Sequence, residues 1–313
     1  MNPESPETTS ARSSALMRAK ALCAAGRLAW MEVDLGTARS HLEAGLALFR
    51  DHGDAEGAIE ALSSLILVAS WQGENERALA LLGEGMEFVA ALPPGASRLP
   101  SLHVLGWAAS WMAAGEALEP SALLNGEAET LAREMGDRRA LAWALDGLGQ
   151  CRYFQGDFAR ARPHLRESLE LFQELGDWLG YGHILWVQGS LARQQGQFEA
   201  ARDFFVAVIE GQGTKNTPQG LPFALEGFAY MAIAATQPRR AAQLLAAAQV
   251  LRDEVRSVQQ PLVRAEYEAQ MAILKTQIEP DELEIAWQQG REMSRDEAIQ
   301  LALQRGEATE NRP

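Results

Sequence analysis

Apolar residues along this chain recur at three- and four-residue intervals, in stripes separated by short polar turns. Leu141, Leu145 and Leu148 form one stripe, ended by Gln155-Gly156-Asp157. Phe158, Ala161, Leu165, Leu169 and Phe172 form the next, ended by Leu175-Gly176-Asp177. This spacing gathers the apolar side chains on one face of an α-helix. Gly156 and Gly176 stand where a helix terminus needs a residue that tolerates positive φ, and the aspartate after each is placed to cap the next helix. No run of alternating β-branched residues bounded by turns occurs, so strands are not expected. Proline gathers at the boundaries, at Pro93-Pro94, Pro120, Pro218, Pro238 and Pro261. The pattern predicts antiparallel helix pairs from end to end.

The pairs are copies of one another. Leu28–Asp54 aligns without a gap on Cys151–Asp177 at an offset of 123, which sets Ala38 on Ala161, His41 on His164, Leu42 on Leu165, Phe49 on Phe172 and Gly53 on Gly176. Gly189–Phe205 matches Gly149–Leu165 at an offset of 40, with Gly149, Gly156 and Ala161 falling on Gly189, Gly196 and Ala201. The larger offset is about three units of the smaller, so the chain is a helical repeat with a period of about 40 residues.

The repeated phrase resembles the tetratricopeptide repeat. Five units carry parts of that signature: Leu22, Gly26, Ala29, Ala38 and Leu42; Leu62, Leu65, Gly73, Ala78 and Leu82; Leu145, Leu148, Gly149, Gly156, Ala161 and Leu165; Gly189, Gly196, Ala201 and Phe205; and Leu225, Phe228, Ala229, Ala241, Leu245 and Ala248. Val33 and Thr236 stand where the first and sixth units would place the turn glycine, and Ile66 replaces a glycine in the second. The third unit, around Val104, Trp107, Ala108, Trp111 and Gly115, departs furthest. The resemblance covers residues 15–258. It implies an all-α, right-handed superhelical solenoid of about six helix pairs over residues 13–258, closed by capping helices over 259–304, with disordered ends at 1–12 and 305–313.

A second resemblance lies near the end. Ala286, Trp287, Gly290, Arg291, Met293, Ser294, Glu297 and Ala298 match a phrase that closes the repeat region of large bacterial signal-transduction ATPases and LuxR-type transcriptional regulators. By analogy it implies a sensor or protein-interaction module of bacterial signalling. Those proteins carry a nucleotide-binding domain outside their repeats. Here no G-x-x-x-x-G-K-[ST] occurs and Gly-Lys is absent, so a phosphate cradle of that type is not present. The chain is thus either a fragment of a larger regulator or a stand-alone repeat protein.

Charge narrows the partners. With 28 Lys+Arg against 42 Asp+Glu the chain carries a formal charge of −14, and a body so acidic lacks the positive field that phosphate backbones or anionic membranes require. No nucleic-acid or membrane partner is expected. The polar start and the short apolar runs offer neither a secretory leader nor the roughly 20-residue span of a membrane helix, and a cytoplasmic location follows. The only cysteines, Cys23 and Cys151, fit a reducing compartment, both packed as small hydrophobes.

Candidate chemistry is sparse. The five histidines form no H-x₃-H or H-E-x-x-H pair, and the repeated His41 and His164 read as a surface or inter-repeat contact. Gly211-Gln212-Gly213 follows no strand and reads, within residues 211–221, as a connector. Glu167 with Glu170, and Glu282 with Glu284, fit solvated helix faces. No enzyme, metal site or cofactor is expected. The aromatic residues carry more. In the tetratricopeptide family the first helix of each pair lines the concave face, which in this register assigns Lys20, Arg27, Trp30, Glu60, Trp71, Trp143, Asp146, Gln150, Tyr153, Phe154, His183, Trp186, Arg193, Phe223, Glu226 and Tyr230 to a ligand groove. Trp107 and Trp111, four apart, are expected to fill seams between repeats. Rings mixed with scattered charges suit a protein or peptide partner. The alternatives are a small-molecule effector site of an ATPase-type transcription regulator, and an oligomeric scaffold.

Overall fold

The structure, a computed structural model, describes residues 6–112, 115–215, 220–254, 259 and 261–304. Among these residues there are fifteen α-helices and no strand. They are α1 (Pro6–Met31), α2 (Leu35–Asp51), α3 (Ala55–Trp71), α4 (Asn75–Ala91), α5 (Leu99–Met112), α6 (Leu118–Met135), α7 (Arg138–Phe154), α8 (Phe158–Leu175), α9 (Trp178–Gln194), α10 (Phe198–Lys215), α11 (Leu221–Ala234), α12 (Pro238–Glu254), α13 (Pro261–Gln277), α14 (Pro280–Glu292) and α15 (Arg295–Leu303). The helices form two compact units. One comprises Met1–Leu175 with Gln259–Val263, the other Gly176–Val258 with Arg264–Pro313.

The first unit contains four antiparallel pairs, α1/α2 to α7/α8, each packed on the next. The turn chemistry follows the sequence pattern. Gly53, Gly73, Gly136, Gly156 and Gly176 lie at positive φ, and so do Val33 (60°) and Thr236 (55°), the two residues standing in for turn glycine. Asp34, Asp54, Asp137 and Asp157 each accept from a backbone N–H three residues on, at 3.0, 2.9, 3.0 and 3.2 Å, satisfying donors that a helix start leaves open.

Both helices of each pair build the core, and the second helix contributes a repeated small-and-large couple to it. Ala38, Ala78, Ala161, Ala201 and Ala241 are fully buried, and Leu42, Leu82, Leu165, Phe205 and Leu245 follow four residues later, buried as well. In the third pair Ser121 and Asn125 take those two places. Asn125 donates its amide to the Ser121 carbonyl (2.8 Å) and the Gly106 carbonyl (3.2 Å), Ser110 donates to Gly106 O (2.8 Å), and the Cys151 thiol donates to Ser121 Oγ (3.3 Å). A Cβ on Gly147 would lie 2.5 Å from Asn125 Nδ2, so glycine is what lets α7 seat on α6. The third unit is degenerate in sequence because its small-and-large apolar pair has become a buried polar knot.

In the second unit α9/α10 and α11/α12 form two further pairs, and α14 lies along α12. Ala286, Gly290 and Ala298 are buried, and any Cβ on Gly290 would overlap the Gln243 carbonyl. Ser294 and Glu297 close a reciprocal capping box at the start of α15. The closing phrase read from the sequence is therefore a docking device. Arg202 donates to the Leu303 carbonyl (2.5 Å), and Arg240 donates to those of Leu301 (3.1 Å), Ala302 (3.1 Å) and Gln304 (2.6 Å), satisfying carbonyls at the α15 terminus.

Two expectations change. Residues 6–12, expected to be disordered, form the first turns of α1, which begins with Pro6 at a position where a missing N–H costs nothing. Arg12 ties that end down by donating to the His52 carbonyl (2.9 Å). Residues 211–215, expected to belong to a connector, continue α10, since no proline interrupts the ladder before position 218. The ends 1–5 and 305–313 lie outside the described residues.

Candidate interaction site

The expected groove residues fall into separate groups in the two units. At the start of the first unit, Arg27 on α1 pairs with Glu60 on α3 at 2.9 Å, both partly exposed, and Lys20 is exposed one to two turns earlier. Trp30 and Trp71, at the ends of the same two helices, meet edge to face with centroids 5.3 Å apart. Both rings are half-buried, and the Trp30 indole N–H has no acceptor among the described residues.

Further along the first unit, Trp143 on α7 is half-buried among His103 (6.3 Å), Trp107 (6.4 Å) and Phe172 (4.9 Å). One edge of this indole thus belongs to the seam between helices, Phe172 being fully buried. Burial holds the His103 imidazole below its ordinary pKa, with Asp137 opposing and Arg139 adding to the shift. Asp146 and Gln150 lie one turn apart, almost fully buried, with the Gln150 amide donating to Asp146 Oδ2 at 3.1 Å. Tyr153 is buried and packs against Phe154 (5.1 Å) and Phe158 (6.0 Å), leaving Phe154 half-buried. The Trp111 side chain lies outside the described residues.

The second unit gathers the remaining positions into a tighter constellation. His183 stands beside Trp186 (5.9 Å), and Trp186 beside Phe223 on α11 (5.1 Å), all three half-buried. Beneath them lie charges. Glu226 accepts from Arg252 at 2.6 Å, with both side chains almost wholly buried, and the Arg252 guanidinium also stands 5.5 Å from the Phe223 ring centre. Arg193 pairs with Glu266 of α13, and its guanidinium lies 5.1 Å from the centre of Tyr230. Gln194 donates to the same Glu266 oxygen at 3.3 Å. The Tyr230 hydroxyl is buried without a hydrogen-bond partner among the described residues. Desolvation, reinforced by Glu226 and Glu266, pushes its pKa above the usual phenol range. Burial likewise raises Tyr267, next to Glu266.

The sequence assigned Arg193, Glu226 and Tyr230 to a groove but did not include Arg252 and Glu266, the groups that pair with the first two. Arg252 lies on a second helix and Glu266 on a capping helix, neither of which the repeat register turns inward. Their only signal was that Arg193 and Glu226 occupy positions too buried for lone charges, so each required an opposite partner. The side chains assembled here are rings, fixed ion pairs and a buried hydroxyl without a hydrogen-bond partner among the described residues. Among the described residues no group of three or more His, Cys, Asp or Glu side chains could hold a metal ion. No helix among the described residues is long and apolar enough to cross a membrane.

Comparison with known proteins bears on the repeats. Residues 140–212 match the tetratricopeptide repeat family. Three proteins provisionally named HTH-type transcriptional regulators, one from Mycobacterium bovis and two from strains of Mycobacterium tuberculosis, are 32% identical over 129 residues, covering 41% of this chain. The chain spans only 14% of the length of these relatives over that match. Among solved structures, BtubC (BKLC) from P. vanneervenii aligns over 74% of this chain and 93% of its own, with a TM-score of 0.48 and 15% identity. Over residues 140–212 the chain is thus similar to the tetratricopeptide repeat family, and over 129 residues to a part of these regulators, within an all-α fold of helix pairs.

Proposed function

We propose that the chain is a non-enzymatic module of bacterial regulation that binds a protein or peptide partner through the first helices of its pairs. The observation supporting this reading is a recurrence. Trp30, Trp71 and Trp143 in the first unit, and Trp186 and Phe223 in the second, are large rings on first helices that stay partly exposed. Rings with one free edge, set beside fixed charges, give a partner area at low entropic cost. The match of residues 140–212 to a repeat family whose role is interaction points the same way.

A photo-crosslinking residue in place of Trp71 or Trp186 is expected to capture a discrete protein in the bacterial cytoplasm. The same residue in place of Arg166, exposed on α8, is expected to capture none. Capture from Arg166 alone would overturn the reading. A second reading, recognition of a small effector by the second unit, is favoured by one observation: the unpartnered Tyr230 hydroxyl between the Arg193–Glu266 and Arg252–Glu226 pairs. Native mass spectrometry of the full chain from cells, showing a retained small molecule that Tyr230→Phe abolishes, would establish it.

A further inference from the structure

The first helix carries a surface that the groove does not use. Met17, Ala21, Ala24, Leu28 and Met31 are all exposed on α1, Met17, Leu28 and Met31 at 66%, 63% and 72%. Their spacing of four, three, four and three residues makes one continuous apolar seam of the kind that joins paired helices. The same register elsewhere shows what such a face does. At the offset of 123 these positions become Ala140, Ala144, Gly147, Cys151 and Phe154 on α7, of which the first four are buried. There Gly147 sits on Asn125, and Cys151 on Ser121, of the preceding helix α6. On α3, Gly57 of the equivalent stripe sits on Phe49 of α2. The α1 stripe is thus the helix-receiving face of a repeat, with large Met and Leu side chains at its ends and no helix on it among the described residues.

Its charges identify the occupant. Arg18 and Glu32 flank the stripe on one side, near opposite ends, exposed and in no ion pair among the described residues. Two copies of α1 laid antiparallel and centred at Ala24–Ala25 set small residues together at the crossing. Met17 then meets Met31 of the second copy, and Arg18 approaches Glu32 of the second copy on both sides of the two-fold axis. On the other flank Lys20 approaches Arg27 of the second copy, whose charge Glu60 already offsets at 2.9 Å. We infer that the outer stripe of α1 is the interface of a symmetric antiparallel dimer of this chain. One helix crossing buries less than the roughly 1,200 Å² of a standard stable interface, so the dimer is weak and concentration-dependent.

Sedimentation equilibrium of the full chain up to about 200 µM tests it. Wild type is expected to show a monomer–dimer equilibrium, and Leu28→Glu to weaken it more than about tenfold by placing a desolvated charge in the seam. Arg18→Glu is expected to weaken it several-fold, and the swap Arg18→Glu with Glu32→Arg to restore it. Leu28, Arg18 and Glu32 are exposed, so thermal melts of the variants are expected to match wild type. A monomer throughout, a dimer indifferent to Leu28→Glu, or a swap that fails to restore association would each overturn the inference. None of these results bears on the groove.

Discussion

Val33 and Thr236 hold a backbone conformation that β-branched residues avoid. Their Cβ atoms crowd the backbone at φ of 60° and 55°, where the other turns use glycine. Val33→Gly and Thr236→Gly are each expected to stabilise the chain by about 0.5–1 kcal/mol, read in urea melts, despite the added freedom of the unfolded chain. Gly156→Val, the converse change at φ 74°, is expected to cost about 1–2 kcal/mol. His103 adds a pH dependence at the same scale. Burial depresses its pKa in the folded chain, so the unfolded chain binds the proton more readily. Its contribution is therefore fully present above the ordinary imidazole pKa of about 6.5 and is lost as pH falls towards the folded value. Thermal midpoints measured from pH 7.5 down to 5 are expected to drop, and His103→Phe to flatten that part of the curve.

Between helices, the polar knot of the third pair is the sharpest test. Asn125→Leu restores the residue that the register uses at Leu165. It also strips Ser110 and Ser121 of a partner and forces a branched side chain against Gly106 and Gly147. A loss of about 2–4 kcal/mol is expected, and Ser121→Ala added to it is expected to cost less than in wild type, because the two residues share one network. The outer faces contribute far less. Arg133 donates to both oxygens of Glu167 at 2.8 Å across neighbouring second helices, and this pairing holds the Glu167 carboxyl below its usual range. Both side chains remain more than two-fifths exposed, so screening limits the pair to a few tenths of a kcal/mol. Helix pairs, turn residues and the Ala–Leu core positions were legible because each imposes a local pattern with a fixed period. Ser121 and Asn125 were not, since a polar pair at core spacing reads as surface until its partners from α5 and α7 are in place.

At the scale of the whole chain, legibility divides along the same line. The repeat and the capping phrase are regular in sequence. The Arg193–Glu266 and Arg252–Glu226 pairs join residues 73 and 26 positions apart, through helices that the register treats as outer or terminal. The cap is expected to act as one piece. Gly290→Ala would push α14 off Gln243 and cost about 2 kcal/mol or more, with hydrogen exchange rising across α14 and α15 while α1–α4 stay protected. The cysteines have a practical consequence. Cys23 and Cys151 are both buried, and burial raises both thiols, Cys23 to about 11. Near neutral pH the folded chain therefore offers maleimides almost no thiolate. A cysteine placed at Leu123, exposed on α6 and away from the seam of α1, would be the dominant reactive thiol. The native sequence is ready for spectroscopic labels and for distance measurements between copies, without first removing its own cysteines.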